Sequence, residues 1–220
     1  MGREFLSLFD HWASSYDDTV NGHDEQYEEV FRRYPAILKE IVERSGENVL
    51  EFGSGTGNLT AALVAAGKQV FGVEPSNAMK TAALQKGLPN VFHDGDFLSF
   101  PAPPFDVDTI VSSYAFHHLT DEEKKQAIHI YSNILHSDGK IVFADTMFQN
   151  QAAHHAEINK AKAAGFDQLA DDLETEYYPS IDVLKEIFEE EGFSMSFHQM
   201  NDFVWIVEAK KRERRNERMF

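Results

Sequence analysis

Residues 49–60, VLEFGSGTGNLT, limit what this chain can fold into more than any other stretch. A short apolar run ends in Glu51 and breaks into a turn with glycines at 53, 55 and 57. LTAALVAAG then continues as an apolar, alanine-rich helix. Strand, glycine turn and helix in that order make the first crossover of a nucleotide-binding α/β sheet. Glycine suits such a turn because it adopts positive φ and lets a ligand approach the backbone. The start of the helix is expected to offer unpaired N–H groups to a polar ligand.

Spacing narrows the ligand. A dinucleotide fingerprint places its third glycine three residues after the second, but Asn58 stands there and the third glycine comes early, at 57. E-F-G-S-G-T-G resembles instead the first motif of the class I S-adenosylmethionine (SAM)-dependent methyltransferases. The resemblance implies that Gly53, Ser54 and Gly55 hold the methionine end of SAM. It also implies that Glu51 helps to hold the methionine ammonium, often through water.

Later stretches follow in matching order. KQVFGVE is a strand ending in Glu74, which lies 21 residues after Gly53, where an acid receives ribose hydroxyls; Pro75 follows it into a helix capped by Ser76. The D-G-D-F stretch resembles the family's adenine site, with Asp96 accepting from the exocyclic amine and the Phe97 N–H meeting a ring nitrogen. DTIVSSY is a buried-strand run, and Thr120 with Glu123 predicts a capping box. S-Y-A-F-H-H-L resembles the family's fourth-strand motif, which implies that the Ser113 carbonyl meets the methionine ammonium and that His117 and His118 lie near the site. W-x-x-x-Y-D resembles the N-terminal segment of the ubiquinone/menaquinone-type branch, in which the tyrosine, here Tyr16, closes over the cofactor.

Composition sets the partners. The 220 residues suffice for one α/β domain with a sizeable core, expected over 1–210 with a helical cap at 1–46 and a Rossmann-like core at 47–210. A net charge of −17 opposes general affinity for nucleic-acid backbones. KKRERRNERMF is a local exception, and residues 211–220 are read as a basic, solvated tail. No run of roughly 20 apolar residues suits a membrane span, and no signal peptide is evident at the N-terminus. The absence of cysteine removes disulfides, thiolate metal sites and cysteine nucleophiles, and is compatible with the cytoplasmic location adopted as the expectation. His154 and His155 are adjacent on a predicted helix and face different ways, so no metal site is expected.

The ends complete the pattern. FLSLFDHWASSYD carries Phe5, Leu8, Phe9 and Trp12 on one helical face. EQYEEVFRRYPAILKEIVERSG reads as helix broken near Pro35, and NVFHDGDFLSFP as a third strand with its loop. The run 149–176 looks helical, a helix enters through Pro179 and ends at Gly192, and SFHQMNDFVWIVEAK reads as a closing hairpin. The expected fold is a Rossmann-like class I methyltransferase: a seven-stranded, mostly parallel sheet with an antiparallel C-terminal hairpin. Over almost the whole chain, the opening MGREF, EFGSGTGNLT, SSYAFHHLTDEEK, KIVFADTMF and YYP resemble the YrrT family of bacterial methyltransferases. The resemblance implies in-line transfer of the SAM methyl group, and the acidic composition and the absence of a cysteine nucleophile favour a small-molecule acceptor, neutral or cationic. His118 is the candidate general base, Tyr16 a second catalytic candidate, and His117 and Tyr177 lie on the substrate side. A non-catalytic SAM-binding protein and an NAD(P)-binding oxidoreductase remain the alternatives.

Overall fold

A computed structural model describes residues 5–212. Residues 1–4, the tail from residue 213 onward and the side chain of Leu8 lie outside the described residues. The chain forms a seven-stranded sheet in the order β3-β2-β1-β4-β5-β7-β6. β1 (Asn48–Phe52), β2 (Gln69–Val73), β3 (Phe92–His93), β4 (Thr109–Ser113) and β5 (Lys140–Thr146) pair in parallel. β7 (Val204–Lys211) is antiparallel both to β5 and to β6 (Phe193–Gln199). β7 alone therefore runs against the others.

Central strands of such a sheet are covered on both faces and read as continuous apolar runs. Accordingly Val49, Leu50 and Phe52 of β1 are fully buried, and Glu51 among them is 1 % exposed. Alternate residues serve opposite layers. Ile110, Ile141 and Phe143 pack with Ile128 and Tyr131 of α6 (Asp121–Ile134) and Leu184 and Phe188 of α9 (Ile181–Glu190). Val111, Val142 and Ala144 pack with Ile37 and Ile41 of α3 (Tyr34–Arg44), and Leu59 and Leu63 of α4 (Asn58–Ala65) join them. The predicted capping box at Thr120 and Glu123 forms, and Ser76 caps α5 (Asn77–Gln85) by accepting from the Met79 N–H.

Four local expectations change. The helix expected on both sides of Pro35 begins only at Tyr34, because Arg33 takes left-handed backbone (φ 70°) and the proline occupies the first turn. The third strand keeps two residues, since Asp96 turns the chain by accepting at Oδ1 from the Leu98 and Ser99 N–H groups. The helical run 149–176 divides at Gly165 into α7 (Gln151–Ala164) and α8 (Asp167–Thr175). Lys211, assigned to the solvated tail, is a strand residue whose Nζ donates to Ser132 O (2.5 Å) and Leu135 O (2.8 Å) at the end of α6.

Residues 5–30 cover the carboxyl end of β1. α1 (Leu6–Trp12) leads into the short helix α2 (Tyr16–Asp18) and an irregular turn at Thr19–His23. Asp17 ties this cap to the core, accepting from Thr56 Oγ1 (2.7 Å) and Asn58 Nδ2 (3.0 Å) and pairing with Lys86 Nζ (2.6 Å). Asn58, where a dinucleotide site would carry glycine, thus anchors the cap. Ser76 Oγ donates to Asp10 Oδ1 (2.7 Å) as a second tie.

Candidate functional site

β1 lies between β2 and β4, where the strand order reverses, and ligands of open α/β sheets bind at that switch point. The cavity there runs from Gly53, Gly55, Glu74 and Pro75 past Asp96, Phe97 and Ser113, beneath Phe9, Trp12 and Tyr16 of the cap. It ends among His117, His118, Asp172, Glu176 and Tyr178.

The glycine turn is held differently from the expectation. The Gly53 and Ser54 N–H groups donate to Val73 O (3.0 and 3.3 Å), Gly57 N–H to Ser54 O (2.8 Å), and Gly55 N–H to Glu74 Oε2 (2.8 Å). These amides are engaged, so the turn offers its carbonyls and side chains. Gly53 sits at φ 64°, and a Cβ there would come 2.5 Å from Ala115 Cβ. Gly57, the early third glycine, sits at φ 80° with its Cα against α5, where a Cβ would meet Leu88 Cδ1 at 2.5 Å and Ala83 Cβ at 3.0 Å. Only glycine satisfies both positions.

Each acid of the expected cofactor set has a distinct setting. Glu74, 4 % exposed, also accepts the Ser76 N–H at Oε1 (2.8 Å), so both its oxygens hold the loops that frame the site. Burial raises its pKa, against the opposing pull of those two amides. Glu51 lies beneath the turn rather than on the cavity wall and accepts from Thr60 Oγ1 (2.6 Å). Burial pushes it up to about 8, the Thr60 hydroxyl opposes this, and Glu74 adds to it. Ser54 Oγ and Ser112 Oγ are buried with no hydrogen-bond partner; Ser112 Oγ lies 4.0 Å from where a Gly53 Cβ would stand, whereas Ser54 Oγ faces Gly72. An orphaned buried hydroxyl, Ser112 Oγ, beside a cradle that tolerates no Cβ fits a polar ligand group.

The far end departs further from the sequence reading. His117 Nδ1 pairs with Asp145 Oδ1 (2.5 Å), its Nε2 lies 3.3 Å from Glu176 Oε2, and its backbone N–H donates to Asp145 Oδ2 (2.9 Å). Burial alone would depress this ring, but Asp145 and Glu176 outweigh it and raise it to about 10. Glu176 is pulled down to about 2, the His117 charge overcoming the effect of burial. His118 behaves oppositely: burial and the His117 charge hold it at about 3. Phe5 and Phe9 pack on it at 5.0 and 4.9 Å between ring centres. A ring so weakly basic holds a transferred proton poorly, so its setting opposes the expected general-base role.

Two other assignments shift. Burial raises the Tyr16 hydroxyl well above its ordinary pKa, with Tyr34 and Tyr114 adding to this, so Tyr16 suits a hydrogen-bond donor and not a base. Tyr177, expected on the substrate side, is 39 % exposed and turned away from the cavity, while its neighbour Tyr178 lines it. The sequence reading places Asp145 on the ligand face at the end of the fifth strand without giving it a role, and it misses Asp172, Glu176 and Tyr178. For Asp145 the signal was present, a carboxylate at the ligand end of β5. The α8–α9 connection carried none.

Residues 49–139 match the family described as a methyltransferase domain. An uncharacterized methyltransferase of Bacillus pumilus is 89 % identical over 213 residues, covering 97 % of this chain and all of the relative. YrrT of Bacillus subtilis, also an uncharacterized methyltransferase, is 61 % identical over 96 % of this chain and 100 % of its own. Among solved structures, the complex of DhpI with SAM and HEP superposes with a TM-score of 0.69 at 21 % identity, covering 93 % of this chain and 95 % of that one. A possible histamine N-methyltransferase from Thermotoga maritima gives 0.67 at 15 % identity, over 94 % and 99 %. The early Gly57, the reversed β7 and these relatives set the oxidoreductase alternative aside. The chain belongs to the bacterial methyltransferases of the family that includes YrrT.

Proposed function

We propose that the protein transfers the SAM methyl group to a small-molecule acceptor by in-line displacement, the acceptor lying between the cap, His117 and Tyr178. The enclosed cavity carries this reading, because it continues from the glycine turn to a wall of polar groups under an aromatic cap. SAM supplies an activated methyl group. The protein's own residues therefore bind, orient and exclude water, and positioning accounts for about 7–11 kcal/mol of barrier reduction in favourable cases.

In this reading the Ser113 carbonyl receives the methionine ammonium, Glu51 helps to hold it through water from beneath the turn, and Gly53, Ser54 and Gly55 frame the methionine end. Glu74 takes the ribose hydroxyls beside Pro75, Asp96 and Phe97 the adenine, and Tyr16 closes the cap as a donor. Glu74→Ala is expected to weaken SAM binding by about 1–3 kcal/mol, the cost of unpaired buried partners. Calorimetric titration of the folded variant checks it, and an unchanged Kd would remove Glu74 from the ribose site.

Because the cap covers the cavity, SAM entry requires it to open. Hydrogen exchange of residues 5–30 is expected to slow when SAM binds. Equal protection in both states would sink the lid.

Incubation with methyl-labelled SAM and a cell metabolite extract tests the acceptor class, with label expected in a low-molecular-weight product. Truncation after Arg212 spares β7 and is expected to leave that turnover intact. Methylation of RNA or DNA by the full chain, lost on that truncation, would overturn the small-molecule reading.

A further inference from the structure

Among the described residues one group of three metal-ligating side chains converges: His117, His118 and Glu176, with ligand atoms all within 4.8 Å of one another. We propose that His117 Nε2, His118 Nδ1 and a Glu176 carboxylate oxygen form a three-ligand site for a divalent cation of the zinc type, with its open position facing the acceptor cavity.

The distances suit such an ion. Bonds of about 2.0–2.1 Å in tetrahedral arrangement place neighbouring ligand atoms about 3.4 Å apart. His117 Nε2 lies 3.3 Å from Glu176 Oε2 and His118 Nδ1 3.6 Å from its other oxygen, Oε1, so each ring faces one oxygen of the carboxylate, and one ligand atom from each residue falls within 4.8 Å of the others. Two imidazoles and one carboxylate form a donor set that zinc accepts in catalytic sites, where a fourth position stays open.

The surroundings are those of a supported site. Asp145 holds His117 Nδ1 at 2.5 Å, the carboxylate–imidazole pairing that fixes a ligand ring with its other nitrogen aimed at a metal. Asp145 is itself fixed by the His117 and Thr146 N–H groups (2.9 and 2.8 Å). Tyr178 Oη donates to Glu176 Oε2 (2.5 Å) and orients that carboxylate.

An ion pair within the fold accounts for Asp145, His117 and Glu176, but it leaves His118 unexplained. That ring is 8 % exposed, and its Nδ1 has no hydrogen-bond partner although it is directed at Glu176. A buried ring nitrogen without a partner wants an explanation, and an ion shared with His117 and Glu176 supplies one. The ion replaces the proton on His117 Nε2, which goes to solvent. With neutral rings, the charges of Asp145 and Glu176 balance a divalent cation. All three ligands line the cavity, so the open position would receive a hydroxyl or thiol of a neutral acceptor and favour its anion.

The test uses the full chain freed of metal and without SAM, so that its outcome is independent of methyl transfer. Titration with Co2+ is expected to saturate near one equivalent with visible ligand-field bands, and Zn2+ to displace it. His118→Gln and Glu176→Gln are each expected to lower Co2+ affinity at least tenfold. Asp145→Asn is expected to lower it by about 10–100-fold through the ring it orients. Circular-dichroism melts identify any variant that fails to fold, and the His118 and Glu176 variants check each other. No saturable binding by the wild-type chain, or unchanged affinity in folded His118→Gln or Glu176→Gln, would overturn the site.

Discussion

Binding of SAM near pH 7 is expected to release close to one proton, and the proton comes from Glu51. Burial beneath the glycine turn holds this carboxyl at about 8, so in the free protein it is mostly neutral at pH 7. A ligand ammonium brought to it favours the ionised form and drives the proton off. Affinity should therefore rise with pH by nearly one decade per unit between about 6 and 7.5, then level off as Glu51 ionises unaided and the ligand's amino group (about 7.7–8.0) loses its charge. Glu51→Gln should flatten that slope and weaken binding by tenfold or more at pH 7.5, since a carboxamide offers no charge.

The same shift has a sign for stability. A carboxyl raised from near 4.5 to about 8 binds more protons folded than unfolded, so the ligand-free protein loses stability as pH climbs through that window. Calorimetry in two buffers of different ionisation enthalpy reads the proton directly. Equal apparent enthalpies would show that Glu51 does not meet the ammonium.

Lys124→Met is expected to destabilise the protein by about 2–5 kcal/mol, the cost of leaving the buried Leu119 carbonyl and the half-buried Tyr177 carbonyl without their donor. Lys124 is fully buried; its Nζ donates to Leu119 O and to Tyr177 O (2.7 Å) and lies 3.4 Å from Asp121 Oδ1. Burial lowers the pKa of this ammonium, and Asp121 opposes that. Methionine matches the volume, so the loss isolates the hydrogen bonds from any cavity. For a chain of this size the change corresponds to a fall in Tm of about 5–15 °C, which thermal melts followed by circular dichroism would show. Because Lys124 fastens the residue after His118 to the residue after Glu176, Lys124→Met should also weaken any ligand held between those segments. A shift in Tm below about 2 °C would mean that water replaces the ammonium at both carbonyls.

Local chemistry made much of this legible in sequence. Apolar runs interrupted by glycine, serine caps and the Thr120–Glu123 box encode the strand–turn–helix order, because each depends on residues within a few positions. The gathering of Gly53, Glu74, Asp96 and Ser113 in one cavity was legible for the same reason: they come at or just after strand ends, and a parallel sheet gathers strand ends at one edge. The bonding there was not legible, since Glu74 reaches back over 19 residues to occupy the Gly55 amide.

Tertiary structure alone decided the far end of the cavity. Asp145 and Glu176 reach His117 from 28 and 59 residues away, and these contacts, not the His-His sequence, raise one ring to about 10 while burial holds its neighbour at about 3. Lys124 shows the same limit: on an acidic helix it reads as a solvated charge, and only the packing of the 176–180 segment over α6 buries it. Propensity and spacing act over single turns and fix which elements form. Buried charge responds to whatever surrounds it, and in this chain the surroundings are assembled from segments far apart in sequence.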